Sequence, residues 1–212
     1  MIVVHHLNNS RSQRIVWLLE EMGLEYEIAH HARDALTKLA PPELLEVHPL
    51  GKSPVIVDGE AVVAESGAII EYLIERHGSG RFAPTRASQA WVEYVQWMHY
   101  AEGSAMLPLM LALYAGRLGD AAAPLWPRIQ GEITANLTYM NAAVTGRRFL
   151  VGDDLTGADV QLAFVLEAAD ANGVLAAYPE AARYLASLQA RPAYQRAVTK
   201  GGPYDLGGNR SR

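Results

Sequence analysis

Residues 48–66, HPLGKSPVIVDGEAVVAES, constrain the fold more than any other stretch of this chain. Asp58-Gly59 sits between VIV and EAVV. Asp-Gly in that setting predicts a tight β-hairpin, because a type I′ turn needs positive φ at both central residues. Pro54 opens the first strand, where its missing N–H costs no ladder bond, and it forces Ser53 into an extended conformation. A cis Ser53-Pro54 bond would leave the Ser53 N–H and C=O open to another extended backbone. Glu65-Ser66 precedes the apolar residues Ile69, Ile70, Leu73 and Ile74, so Ser66 reads as a helix start. Free N–H groups and the positive dipole end there suit a carboxylate. The string therefore suits a short peptide that carries both a backbone and a free carboxylate. The plain alternative is that Glu65-Ser66 only starts a helix and Lys52 is a solvated loop charge.

The rest of the first part supplies a compact α/β order. Residues 2–4 form a buried-strand run, and Ile15, Leu18, Leu19 and Met22 fall on one face of a helix stopped by Gly23. Residues 26–30 suit a second strand, and Pro41-Pro42 starts a short helix at PPELLEV. The hairpin follows, then a helix to His77. The order predicts a parallel strand pair plus an antiparallel hairpin. After the break at GSGRFAPTRA no convincing strand is found. Residues 86–116 read as one long helix bent near Pro108, and residues 125–144 as a second. TGADVQLAFVLEAAD is a third, with Thr156 and Asp159 as an approximate capping box and Leu155 and Val160 as a staple. YPEAARYLASLQ and RPAYQRAVT supply two shorter helices, and the tail GGPYDLGGNRSR is expected to be mobile unless docked.

Composition removes several function classes. A net charge of −5 argues against general nucleic-acid binding, which wants a basic face. The N-terminus is too short in apolar residues for a secretory signal, and the charge-free stretch between Glu102 and Arg117 is too short to span a bilayer. A cytoplasmic protein is expected. With no cysteine, the protein has no Cys-x-x-Cys pair, catalytic thiolate or disulfide of its own. Any thiol chemistry must arrive with a ligand. His5-His6 and His30-His31 invite a metal reading, but neighbours on a strand point to opposite faces and no further ligands stand at useful spacing. No metal is expected.

The 48–66 string resembles the glutathione transferases, whose thioredoxin-like domain combines a cis-proline loop, a hairpin and a Glu/Gln-Ser pair. FLVGDDLTGADVQLA resembles the capping region of that family's helical domain. The resemblance implies a thioredoxin-like α/β N-terminal domain, residues 1–79, that binds glutathione, followed by an all-α C-terminal domain, residues 86–205. It implies that the Ser53 backbone pairs with the cysteinyl unit of glutathione. Glu65 and Ser66 would bind the γ-glutamyl end, and Lys52 would lie near a ligand carboxylate.

Such an enzyme must ionise the bound thiol. Lowering a pKa of about 8.5 by about two units takes roughly 2.7 kcal/mol. One hydroxyl hydrogen bond to an anion supplies about 1.5–3 kcal/mol, and a helix N-terminus about 0.3–1 kcal/mol. One well-placed hydroxyl is nearly enough. No Tyr precedes Tyr26, and Leu7 lies where tyrosine-using branches place theirs. NNSRSQRIVWLLEE resembles the serine-using branch, with Ser10 as thiolate donor and Arg14 four residues on. Ser12 competes as a plain helix cap, Asn9 could donate to sulfur, and Arg11 could lend electrostatic support. His48 and Ser53 depart from the usual family residues and suggest a bacterial or fungal branch. In the long helix, Trp97, Tyr100, Ser104 and Leu107 share one side. Such stripes are mostly core, but the resemblance makes Tyr100, Ser104 and Leu107 candidates for the co-substrate pocket. Glu102 could reach the glutathione amine across a homodimer interface, or simply be solvated. The function implied is conjugation of glutathione to small hydrophobic electrophiles. Glutathione-dependent peroxide reduction or isomerisation, and a non-catalytic binding module, are the alternatives.

Overall fold

The structure, a computed structural model, describes residues 1–202 and 204–206. The chain forms two compact units, Met1–Ala83 together with the chain from Leu188 onward, and Pro84–Ser187.

In the first unit, strands β1 (Ile2–Leu7), β2 (Tyr26–His31), β3 (Val55–Asp58) and β4 (Ala61–Ala64) form one sheet in the order β2-β1-β3-β4. β1 runs parallel to β2 and antiparallel to β3, and β3 to β4. This is the thioredoxin-like arrangement that the sequence leads one to expect. The hairpin turn is displaced by one residue from expectation. Asp58 pairs with Ala61, so Gly59 and Glu60 form the turn, and of these only Gly59 has positive φ (63°). Glycine at the first central position with one positive φ is the type II′ pattern, not type I′.

Helix α1 (Ser12–Met22) packs on β1 and on α3 (Ser66–His77), while α2 (Leu44–Val47) is a single turn. Gly23 ends α1 in the left-handed conformation, φ 70°, as its sequence position suggests. One helical face of α1 is apolar in sequence, yet every residue from Ser12 to Glu20 is buried. The reason is α9 (Pro192–Gly201), which packs along α1. Trp17 meets Tyr194 edge-on, with centroids 5.4 Å apart. Arg191 grips Glu21 with two hydrogen bonds (2.5 and 2.8 Å), and Glu20 receives Arg196 (2.7 Å), Lys200 (2.5 Å) and the Tyr26 hydroxyl (2.6 Å). Gly201 closes the contact. A Cβ there would stand 2.5 Å from Gln13 Oε1. The last helix, expected with the helical part through residue 205, thus belongs to the first unit. Its charges answer carboxylates on α1 that no local pattern connects to it. Of the tail expected to be mobile, residues 203 and 207–212 lie outside the described residues, and the Asp205 N–H donates to Asn9 Oδ1 (2.8 Å).

In the second unit, the long helix is divided. α4 (Gln89–Tyr100) passes through a π-helical stretch, Ala101–Ala105, into α5 (Met106–Gly116). The expected bend at Pro108 is replaced by this wider turn just before it. A proline lacks the N–H that would bond the i−4 carbonyl and crowds that carbonyl, here Ser104's. α6 (Trp126–Ala143) packs against α5, and α7 (Gly157–Ala171) against α4. Asp159, fully buried, accepts the N–H groups of Thr156 and Leu150 (2.7 Å each) and the Tyr184 hydroxyl of α8 (Pro179–Gln189). Leu155 and Val160, the expected staple, are both buried.

Burial would raise the Glu20 pKa, but hydrogen bonds from Lys200, Tyr26 and Arg196 outweigh it and hold the carboxyl at about 2. With a folded value below the ordinary 4.5, this contribution is full above that pH and lost as pH falls toward 2. Urea midpoints measured between pH 5 and pH 2 are expected to fall less steeply for Glu20→Gln than for the wild type. Equal slopes would show that the cluster adds no acid sensitivity.

Candidate functional site

β1 ends beside the start of α1, and the connection Asn8-Asn9-Ser10-Arg11 turns sharply, with Asn9 at φ 53°. The register of β1 on β3, extended from the His5–Val55 pair, would place Leu7 opposite Ser53. There the side chain of Ser53 takes over. Its hydroxyl donates to the His5 carbonyl (2.8 Å) and accepts the Leu7 N–H (3.2 Å). The same N–H is shared with Ser12 Oγ (3.2 Å). The Ser53-Pro54 peptide is cis. β3 begins only at Val55, so the Ser53 peptide lies outside the strand.

Ser12 is not the helix cap that its position suggests. Its side chain is fully buried and points back to the sheet, to His6 Nδ1 (2.9 Å), Leu7 and Ser10 Oγ (2.8 Å). Ser10 plays the capping part, accepting the Ser12 N–H on its hydroxyl (3.2 Å), and it is only 6% exposed. In the Ser10–Ser12 hydroxyl pair either oxygen can donate, and when Ser12 does so the Ser10 proton remains for another acceptor. His6 is buried against α1, and its pKa is lowered to about 4, chiefly by burial and then by His30, against a hydrogen bond it donates to the Gly201 main chain. It is neutral near pH 7.

Arg14 supplies the second junction. Buried in α1, it donates from Nη2 to Ser66 Oγ at the start of α3 (2.5 Å). Glu65, just before that helix, is exposed, and its backbone sits at φ 68°, ψ 119°, outside the regions favoured by side-chain-bearing residues. Strained backbone of this kind concentrates at ligand sites. Lys52 is exposed on the loop before Ser53. Ser10 and Ser53 are thus linked through Ser12 and the Leu7 N–H, while Ser66 is held separately to α1 by Arg14. Asn9 is fixed in the turn, whereas Glu65 and Lys52 are exposed beside Ser66 and Ser53. Sequence reasoning missed Arg33. It donates from its side chain to the main-chain carbonyls of Asn8, Asn9 and Lys38, and local spacing carries no sign of this.

The histidines pair across strands rather than along them. His5 Nδ1 lies 3.1 Å from His31 Nε2, and His6 meets His30 edge-on. Both His5 and His31 have lowered pKa values, chiefly through burial. Among the described residues no group of three or more His, Asp or Glu is placed to hold a metal ion.

The second unit holds a cavity of about 580 Å³ between α5, the π-helical stretch and α6. Tyr100, Ser104 and Leu107 all line it, together with Leu111, Ile129 and Tyr139. Tyr100 donates to Asn136 Oδ1 (2.7 Å), and Trp97, buried, stacks on Tyr139 rather than lining the space. Glu102 lies in the π-helical stretch, half-buried.

Residues 1–75 match the family model "Glutathione S-transferase, N-terminal domain". Glutathione S-transferase 3 of Schizosaccharomyces pombe is 34% identical, covering 94% of this chain and 88% of its own length. The chain belongs to the glutathione S-transferase family. A solved glutathione S-transferase from Actinobacillus pleuropneumoniae superposes with a TM-score of 0.89 at 37% identity, covering 100% of this chain and 98% of its own. A Pseudomonas fluorescens Pf-5 family member with two glutathione molecules bound has a TM-score of 0.77 at 28% identity, covering 92% and 91%. Among the described residues no helix is long and apolar enough to cross a membrane.

The family's thioredoxin-like framework here rests on a buried hydroxyl at Ser12. Ser12→Ala is expected to lower stability by about 1–3 kcal/mol, since it leaves buried polar partners unpaired. A shift of the urea midpoint at unchanged slope would read this out; an unshifted midpoint would show that water replaces the hydroxyl.

Proposed function

We propose that this chain is a glutathione transferase that joins the glutathione thiolate to small hydrophobic electrophiles. One observation carries the reading. The Leu7 N–H is shared by the hydroxyls of Ser12 and Ser53, which sets the Ser10 corner beside the Ser53 turn. A single cysteinyl unit needs both at once: an extended backbone to pair with Ser53, and a hydroxyl within reach of its sulfur. The glutathione molecules bound to the Pseudomonas fluorescens relative support the same ligand for this chain.

In this mechanism the Ser53 main chain pairs with the cysteinyl backbone, and Glu65, Ser66 and the start of α3 receive the γ-glutamyl end. Lys52 screens a ligand carboxylate. The Ser10 hydroxyl donates to sulfur in a nearly dry corner, with Asn9 and Arg11 in support, and the thiolate attacks the electrophile. The cavity bearing Tyr100, Ser104 and Leu107 takes the apolar co-substrate. Glu102 reaches the glutathione amine of the second subunit in a cytoplasmic homodimer. No metal takes part.

Titration with glutathione, followed by thiolate absorbance against pH, tests the reading. Binding with a thiol pKa well below that of free glutathione is expected, and no binding at millimolar concentration would leave a non-catalytic module. Ser10→Ala is expected to lower turnover with an aryl halide by about 10²-fold or somewhat less, the worth of one charge-assisted hydrogen bond. The thiol pKa should rise while affinity changes little. An unmoved pKa would take the sulfur away from Ser10. Ser66→Ala should weaken glutathione binding in a folded protein. An unchanged dissociation constant would reduce Ser66 to a helix start.

A further inference from the structure

Arg33 stands just beyond β2, and its guanidinium collects three main-chain oxygens. Nε donates to the Asn8 carbonyl (3.1 Å), Nη2 to that of Asn9 (3.3 Å), and Nη1 to that of Lys38 (3.1 Å). Its own N–H is held by Asn8 Oδ1 (3.0 Å), while the Asn9 side chain is held from the chain's end by the Asp205 N–H (2.8 Å). A trans peptide is planar, with its C=O and N–H pointing opposite ways. A cation that draws the carbonyls of residues 8 and 9 toward itself therefore turns the N–H groups of Asn9 and Ser10 away from itself. Asn9 is left-handed (φ 53°) and Arg11 right-handed (φ −58°, ψ −12°). The change of hand falls within the connection whose two peptide planes the guanidinium fixes.

We propose that Arg33 is a positioning residue for the thiolate: by fixing two peptide planes it aims the N–H groups of Asn9 and Ser10 at the ligand sulfur, beside the Ser10 hydroxyl. This rests on the assignment of sulfur to the Ser10 corner. Donors fixed before the charge appears do not have to reorganise when it does, and that is why their orientation matters. A fork of planar donors can hold several carbonyls in one arrangement, which a lysine ammonium cannot reproduce.

The test compares Arg33→Gln and Arg33→Lys with the wild type by thiolate absorbance against pH at saturating glutathione, with a thermal melt on each to establish folding. Arg33→Gln is expected to raise the bound-thiol pKa by about one unit, a tenfold loss of thiolate at a given lower pH. Arg33→Lys is expected to raise it too, despite keeping the charge. A folded Gln variant with the wild-type thiol pKa, even one that melts lower, would overturn the proposal and leave Arg33 a purely structural residue. A Lys variant with the wild-type pKa would overturn it in favour of charge alone. Should the Gln variant not fold, the Lys variant decides. Failure of the underlying reading is recognisable separately: Ser10→Ala would then leave the pKa unmoved. If Ser10→Ala raises it and the folded Arg33 variants do not, only the Arg33 proposal falls.

Discussion

The Ser12 hydroxyl, with no exposed surface, holds together segments that the sequence keeps apart. β1 reaches its end with the Leu7 N–H facing a partner strand that cannot continue. The register would set Ser53 opposite it, but Ser53 lies outside β3, which starts only at Val55. A buried donor left unpaired there would cost about 1–3 kcal/mol. Ser12 and Ser53 both bring an oxygen to that N–H, one from the start of α1 and one from the turn before β3. Satisfying this one amide fixes the distance between helix start and turn. The two ends of the proposed cysteinyl site follow from that distance.

The same logic of obligatory pairing explains why α1 is buried on nearly all sides. Its apolar stripe is spent on the sheet and α3, which leaves Arg14, Glu20 and Glu21 on other faces. Arg14 turns to Ser66, and the two glutamates are met by Arg191, Arg196 and Lys200 from α9. The ion pairs at Glu20 have partly exposed cations, so water screens them. Tyr194 and Trp17 supply the apolar part of the contact. The α/β unit is therefore finished by residues that arrive some 170 positions after the helix they cover. At Gly201 a Cβ would crowd Gln13 Oε1 and the His6 ring.

How much of this could be read from sequence depends on the range of the interaction. The strands, the hairpin, the Gly23 stop and the Thr156–Asp159 cap were legible because each is decided by a few neighbouring residues. The turn at Ser53-Pro54 and the helix start at Ser66 were legible because a spaced string carries them together. What was not legible is tertiary. The π-helical stretch answers Pro108 with a wider turn rather than a kink. Ser12 gives up capping because His6 and Leu7 offer its hydroxyl buried partners. The histidines that alternate along each strand meet instead across strands, His6 with its register partner His30 and His5 diagonally with His31. Arg33 looks like an ordinary loop arginine until the fold places three carbonyls around it.

These contacts also limit how the proposed thiolate can be stabilised. With no cysteine the protein contributes no thiol, and His6, the histidine that touches the Ser12 hydroxyl, is held neutral by burial. An imidazolium cannot then be the counter-charge near pH 7. Arg14 is directed at Ser66, so the sulfur would depend on the Ser10 hydroxyl, on main-chain N–H groups and on the guanidinium of Arg33 behind the turn. The hydroxyl and the helix end together offer about 2–4 kcal/mol, against roughly 2.7 kcal/mol for a two-unit shift. The margin is narrow, so small changes in donor direction would be felt as whole fractions of the thiolate population. It also makes the site simple to interrogate. With burial holding the His6 pKa at about 4, a bound-state ionisation observed between pH 6 and 7 does not come from the histidine that touches the Ser12 hydroxyl.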